Sequence, residues 1–433
     1  MQTTMAKTFG VWTLVALVVG NAVGAGIYTT SGFALADLGS REWVVLAWLI
    51  AGIIALMGAL SYAMLVRHIS ESGGEYLYLT RSVHPLAGFL AGWISLLAGF
   101  PGAIAFAATA FESYAHAANA SLANIPDDIL AVVVIVLAGG IHIVRVQVGA
   151  KVHEFIVVFM LLALAVLIAG ALYQFIEQPS LPVPDSKPVA TFSLLAFANT
   201  LVWISLSYSG FNAAAYIAGE VREAQLVVPK GMIWGTLITI VLCVAVNTVI
   251  LYSASPETLQ GQADIATRAA LAIGGPTIKR VVEIVIAISL LTSITAMVLA
   301  GPRVYAKMAE DGALPKFFSV DGNQPPRASI ALQVATAIVL VLIADLRGLL
   351  SYLGLTLSLC LALAVSSLFV QHWRNGIRPQ SKWYPMAPFV FVVCTVSFSV
   401  LTAINEPKQL LVALPTLVVG SIMYLLNRHW VKK

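Results

Sequence analysis

An all-α polytopic membrane protein is the fold this sequence predicts, and three observations predict it. Only 10% of the 433 residues are charged and 59% are hydrophobic. The mean hydropathy is +0.91. About twelve runs are long and apolar enough to cross a bilayer as helices. Soluble domains are about a quarter charged, because a water-facing surface needs those side chains. With 24 Lys and Arg and 20 Asp and Glu, this chain cannot clothe a soluble body of 45.9 kDa. Lipid must be the solvent for most of its surface. A cytosolic enzyme, a nucleic-acid binder and a disordered scaffold are excluded on that ground. Cys243, Cys360 and Cys394 all lie inside apolar runs. They read as small buried side chains, not as a disulfide framework or metal motif.

Taken in order, the runs cover 11–36, 43–66, 86–115, 128–145, 152–174, 191–218, 232–254, 279–305, 328–344, 347–372, 384–404 and 409–427. The first follows a short polar start and is too long for the apolar part of a cleavable signal peptide. Connections are short, so residues 1–433 read as a single membrane domain. Of the 24 Lys and Arg, 17 fall on the side of the N-terminus and 7 on the other. That asymmetry predicts both termini in the cytoplasm and an even number of spans. It also accounts for the net charge of +4 as topology, with no nucleic-acid partner implied.

Two spans carry internal punctuation. The first contains Gly20-Asn21-Ala22-Val23-Gly24-Ala25-Gly26-Ile27-Tyr28 near its middle, where glycine weakens the helix; close helix packing through small residues is the alternative. The sixth reads Trp203-Ile204-Ser205-Leu206-Ser207-Tyr208-Ser209-Gly210-Phe211-Asn212, and polar groups at membrane depth need a cavity or a partner. Spans one and six are equivalent positions if residues 11–174 (spans one to five) and 191–372 (spans six to ten) are two inverted repeats, with 384–427 (spans eleven and twelve) appended. Paired interrupted helices at matching positions point to a transporter's central site. Broken backbone in lipid must be satisfied by protein, water or substrate. Half-helix N-termini suit an anion and C-termini a cation, so two breaks side by side suit a zwitterion such as an α-amino acid.

On these residues the sequence resembles the amino acid–polyamine–organocation (APC) superfamily. The 20–28 segment is similar to its first-helix signature. Ser72-Gly73-Gly74-Glu75-Tyr76-Leu77-Tyr78, followed by Pro85-Leu86-Ala87-Gly88-Phe89 and Gly92-Trp93, resembles its first cytoplasmic loop and third helix. Tyr216-Ile217-Ala218-Gly219-Glu220-Val221 through Val228-Pro229-Lys230 continues the likeness. Gly301-Pro302-Arg303-Val304-Tyr305-Ala306-Lys307-Met308 and Glu310-Asp311-Gly312-Ala313-Leu314-Pro315 complete it. The resemblance implies the inverted-repeat fold, alternating access, and a substrate held between helices one, three, six, eight and ten. It implies that the substrate carboxylate meets backbone N–H groups around Gly24, Ala25 and Gly26. The ammonium would meet carbonyls near Ala22, Leu206 and Ser209, with Ser207 and Asn212 beside them. No cofactor, metal or catalytic residue is implied; the partners are an amino acid and the bilayer, and oligomeric state is left open.

Departures from the family pattern shape the mechanism. An aromatic gate often stands where Leu206 aligns; Trp203, Tyr208 or Phe211 are the replacement candidates. Proton-coupled relatives place a lysine where Met160 aligns, so that coupling device is absent. Thr292, Ser293 and Thr295 could serve a sodium ion, although hydroxyls bonding their own helix are commoner. Exchange or facilitated flux is the reading that results. The broken segments hold no carboxylate, and a cationic cargo would need one to offset its desolvation. Neutral amino acids are therefore expected. The alternatives are a proton- or sodium-coupled symporter of cationic amino acids or polyamines, and a membrane-embedded sensor or enzyme; no Gly-x-Ser-x-Gly, His-Glu-x-x-His or intramembrane Asp pair supports the enzyme.

Other residues have plainer expectations. Lys279 and Glu283 read as an outer structural pair, and Glu112 as a solvated carboxylate. His142 and His153 lack further metal ligands. Pro101 should kink span three. Glu220 and Arg222 suggest an inner ion pair. Trp383, Tyr384 and Trp430 read as interfacial anchors.

Overall fold

Hydrocarbon cannot hydrogen-bond a backbone, so a chain that lives there must pair its N–H and C=O groups internally. The computed structural model, which describes residues 9–118, 121–144, 146–177, 192–320, 325–344, 346–405 and 407–431, is helical almost throughout. Its β-type pairing is a single isolated bridge between Phe9 and Val221, among the described residues. In chain order the helices are α1 (Val11–Ala22), α2 (Ala25–Leu38), α3 (Arg41–His68), α4 (Gly74–Ser82), α5 (Pro85–Ile94) and α6 (Phe100–Ala118). They continue with α7 (Ile129–Val144), α8 (Val146–Glu177), α9 (Leu194–Tyr208), α10 (Ala224–Tyr252), α11 (Pro256–Leu259) and α12 (Ile265–Glu310). The last four are α13 (Arg327–Ile343), α14 (Leu346–Asn375), α15 (Met386–Asn405) and α16 (Lys408–Val431).

Among the described residues, nine helical segments are long and apolar enough to cross a membrane, counting α1–α2 as one. Ile129–Ile143, Arg327–Ile343 and Leu414–Leu426 are shorter apolar helices, and each of the expected runs falls on one of these segments. Helix boundaries follow local chemistry. Ser40 caps α3 through the Trp43 N–H, and Ser193 caps α9 through the Ala196 N–H. Pro85 opens α5, where its missing N–H costs nothing. Within α12, Gly274 and Gly275 leave helical geometry, with Gly275 at φ +67°, just before Pro276. Two helices therefore meet there, and the expected 279–305 run is the longer one.

Two further spans deviate from α geometry. A five-residue π segment, Ser95–Gly99, joins α5 to α6 and ends two residues before Pro101. Span three, where a kink at Pro101 was expected, thus carries a widened turn, and the Ser95 carbonyl accepts both the Phe100 N–H and the Tyr305 hydroxyl, the latter at 3.0 Å. After α9 the chain tightens into a 3₁₀ helix over Ser209–Glu220, far longer than the usual three or four residues.

The core lies where α1 packs on α10 and the 3₁₀ segment, and where α6 packs on α12 and α13. Trp48, Tyr62, Trp203 and Tyr305 are fully enclosed in it. Phe155, Leu162 and Val166 on α8 and Phe389 on α15 are exposed, as a lipid-facing stripe requires. Glu112 corrects the solvated-carboxylate expectation: it is buried and accepts the Asp128 and Leu130 N–H groups at 2.8 and 3.0 Å, capping α7.

Packing of α1 on the 3₁₀ segment leaves no room at Gly210, where a Cβ would stand 2.6 Å from the Ala22 backbone N. Gly170, on α8, has nothing within 4 Å. Gly210→Val should lower stability by about 3 kcal/mol, the upper end for overpacking. Gly170→Ala should stay within about 1 kcal/mol of wild type on the stabilising side. Thermal unfolding of the purified proteins in detergent checks both.

Candidate substrate cavity

The interruption of span one is two residues long. Val23 still donates to the Val19 carbonyl at 2.7 Å, while Gly24 donates back to the Ala22 carbonyl at 2.9 Å. Gly24 is extended (φ −115°, ψ −151°), and α2 restarts at Ala25. The last carbonyls of α1 and the first amides of α2 thus converge on one place. Neighbours crowd it: a Cβ on Gly26 would stand 1.9 Å from Ser207 Oγ, and one on Gly24 would stand 2.7 Å from Ser293 Oγ. Among the described residues, both buried hydroxyls lack a hydrogen-bond partner, as does Asn21 Oδ1. Three orphaned polar atoms therefore ring the break.

Span six meets this break where α9 becomes 3₁₀. Ser209 donates to the Leu206 carbonyl at 2.7 Å. A 3₁₀ helix has three residues per turn, so Ser209 and Asn212 share a face. Both line a cavity with about 540 Å³ of atom-free space, its mouth included, bounded by Asn21, Ser95, Phe100, Met297, Cys360 and others. Its walls come from spans one, three, six, eight and ten.

A further residue enters this cavity from the first turn of α4. Glu75 is 4% exposed, and its Oε1 accepts Tyr62 Oη at 2.6 Å, Asn212 Nδ2 at 2.7 Å and Tyr216 Oη at 3.1 Å. The preceding glycines make this possible. Gly73 and Gly74 adopt φ +143° and +54°, a region that L side chains avoid, and a Cβ on Gly74 would lie 2.3 Å from the Tyr216 ring. Ser72 Oγ accepts the Gly219 N–H at 3.1 Å. The loop is thereby docked along the 3₁₀ segment at three successive points. Beside it, Arg81 holds the Glu71 carboxyl below the usual carboxylate range with two 2.6 Å hydrogen bonds. Burial and the neighbouring Asp311, which accepts from Tyr76 Oη at 3.0 Å, raise the Tyr76 hydroxyl well above its ordinary value.

The sequence model of the amino acid permease family matches residues 9–426. The chain belongs to that family. The permease is similar to the large neutral amino acids transporter small subunit 2 of Oryctolagus cuniculus, at 23% identity over 440 residues, covering 99% of this chain and 82% of the relative. It is similar to the serine/threonine exchanger SteT of Bacillus subtilis (strain 168), at 24% over 409 residues, 92% of this chain and 91% of the relative. The Asc-type amino acid transporter 1 of Homo sapiens is 23% identical over 439 residues, 99% of this chain and 84% of the relative. These are transporters and not enzymes, and the permease is a multi-pass membrane protein of amino acid transport.

Within the permease the anticipated residues other than Trp203 divide into three groups. Ala22, Gly24, Ala25, Gly26 and Ser207 are buried at the break itself, with Ala22 against Gly210. Ser209 and Asn212 line the cavity. Leu206, Tyr208 and Phe211 line a second hollow toward α3, α14 and α15. Of the gating candidates, Tyr208 donates to the Trp48 carbonyl at 3.2 Å. Phe211 packs edge-on against Tyr62 and Phe391 at 5.5 and 5.9 Å. Trp203 is fully enclosed. The aromatic rings at the cavity are Phe100 and Tyr216, 5.1 Å apart and T-shaped.

Glu220 pairs with Arg303 of α12, while Arg222 is exposed; this corrects the expected Glu220–Arg222 pair. Lys279 and Glu283 do pair, at 3.5 Å. Thr292 and Thr295 bond the Ile288 and Thr292 carbonyls of their own helix, and His142 contacts the Ala138 carbonyl. Met160 is buried. The side chains of Lys151, His153 and Trp430 lie outside the described residues. Glu75 is the site residue that sequence reasoning missed. A carboxylate placed directly after two glycines and directly before Tyr76 was the available signal.

Gly74→Ala sets a methyl into the Tyr216 ring and strains a positive-φ position. It should cut amino acid flux in liposomes at least as strongly as Tyr216→Phe, while the purified protein still enters membranes. Equal flux in Gly74→Ala and wild type would show that the docked loop is irrelevant to transport.

Proposed function

We propose that this permease moves α-amino acids, chiefly neutral ones, across the cytoplasmic membrane by alternating access, as an exchanger or facilitator. The meeting of the two interrupted helices, α1–α2 and α9 with its 3₁₀ extension, at one polar-edged cavity carries the proposal. A substrate carboxylate is bound by the first amides of α2 around Gly24, Ala25 and Gly26, with the orphaned Ser207 hydroxyl beside them. The ammonium is bound by carbonyls at Ala22, Leu206 and Ser209. A carbonyl oxygen has two lone pairs: that of Ala22 accepts one local bond, from the Gly24 N–H, while that of Leu206 accepts the Ser209 N–H and the Ser209 hydroxyl, so the hydroxyl must turn away as the ammonium arrives. Phe100 and Tyr216 cover the cavity in the gating role first sought at Trp203, Tyr208 and Phe211.

One transport domain spans 1–433, with 11–174 and 191–372 as inverted repeats and 384–427 appended. The matching interruptions in spans one and six support that division. The distribution of Lys and Arg supports cytoplasmic termini. Neutral cargo is supported by the names of the relatives, which read neutral amino acids and serine/threonine. Exchange is supported by Met160, which carries neither charge nor proton, and by the name of the Bacillus relative. A sodium-coupled reading has one observation in its favour: the Ser293 hydroxyl is buried, unpartnered and beside Gly24.

Reconstituted protein tests these readings. Efflux of preloaded labelled amino acid should accelerate when unlabelled substrate is added outside. Uptake driven by an imposed sodium or proton gradient without counter-substrate would overturn exchange, and sodium alone would favour the Ser293 reading. Gly26→Val should reduce exchange to background with monodispersity intact, because its side chain must displace Ser207 from the break.

A further inference from the structure

Glu75 is the one charged side chain among the described residues that line the cavity. A carboxylate at such depth is costly unless it is paired or hydrogen-bonded. Here no Lys, Arg or His pairs with it among the described residues; its hydrogen bonds come from Tyr62, Asn212 and Tyr216. All three donors converge on Oε1. Oε2 has no hydrogen-bond partner among the described residues, and the carboxylate borders the cavity. One oxygen is thus saturated and held, which fixes the orientation of the group, and the other is left as an acceptor for an incoming ligand.

The placement also sets a length scale. Ser209 stands where the substrate's ammonium is proposed to bind, and Asn212, which touches Glu75, lies one 3₁₀ turn further on. That turn rises about 6 Å, the reach of a two- or three-bond side chain beyond the α-carbon together with the hydrogen bond it makes, about 2.8 Å long.

We infer that Glu75 Oε2 is a specificity-determining acceptor that binds a hydrogen-bond donor, hydroxyl or ammonium, on a short substrate side chain. The inference rests on the amino acid transport reading and deepens it. It also revises the premise that the site lacks a carboxylate: the broken segments have none, and the first turn of α4 supplies one. Recognition of this kind discriminates strongly. An isostere without the donor leaves a buried charged oxygen desolvated and unpaired, which is more costly than a missing methylene.

The test uses the full-length protein in liposomes, with labelled alanine counterflow competed by two matched pairs: threonine against valine, and 2,4-diaminobutyrate against 2-aminobutyrate. In wild type the donor-bearing member of at least one pair should compete about tenfold better, as a bond to a charged group allows. The threonine pair identifies hydroxyl as the donor, the diamino pair ammonium. Glu75→Gln keeps an oxygen for Tyr62, Asn212 and Tyr216 and turns an amide NH₂ toward the cavity. That variant should lower the ratio about fivefold or more, since charge assistance is lost. Thermal stabilisation of purified protein by each amino acid reads the same ratios where flux is small. Equal ratios within both pairs in wild type, or an unchanged ratio in Glu75→Gln, overturn the assignment. So does an equal loss of stabilisation by both members of a pair. A wild type with no counterflow of any amino acid overturns the transport reading itself, and is distinguishable from counterflow without discrimination.

Discussion

Everything in this molecule depends on the requirement that backbone amides and carbonyls inside a bilayer find partners within the protein. A continuous helix meets that requirement by itself; an interrupted one does not. At Val23–Gly24 the chain recovers two bonds locally, to the Val19 and Ala22 carbonyls, and leaves the first amides of α2 to whatever stands opposite. Ser207 and Ser293 stand opposite, closer than van der Waals contact to where side chains would be had Gly26 and Gly24 possessed them. The break is stable because neighbours crowd it, and useful because that crowding leaves polar atoms unspent.

The same logic explains the partnership between span six and the loop after α3. A 3₁₀ segment of this length has poorer hydrogen-bond geometry than an α-helix and is held from outside. Ser72, Gly74 and Glu75 engage Gly219, Tyr216 and Asn212 respectively, and Arg303 engages Glu220 at the far end. Phe9 meets Val221 nearby. The ends of spans one, six and eight and the α4 loop are therefore tied at one face of the bundle, where a relative movement of the broken helices would be felt first.

How much of this was legible depended on whether the information was local. The break in span one is written in its glycines, the irregularity in span six in its hydroxyls, and the apolar runs in hydropathy; each is a property of consecutive residues. Faces were less legible. Tyr208 and Phe211 could be aimed only by knowing that the helix tightens to three residues per turn after Tyr208. Glu220 has a basic residue two positions away in sequence but finds its partner 83 positions away, in Arg303. Glu75 was the hardest case, because its motif reads as a loop and loops are expected at the surface. Only the positive φ values of Gly73 and Gly74 turn that loop inward, and no pattern of hydrophobicity encodes such a turn.

The 3₁₀ segment also settles a question of reach. At about 2.0 Å per residue its twelve residues extend about 24 Å, where an α-helix would extend about 18 Å. The extra distance, close to one α-helical turn, carries Asn212, Tyr216 and Gly219 out to the level at which a loop from water can grip them. Span six spends fewer residues to leave the bilayer than its neighbours do. Loss of one residue between Ser209 and Asn212 would therefore rotate the remainder by a third of a turn and draw it back by about 2 Å, breaking register with every tie along the loop at once.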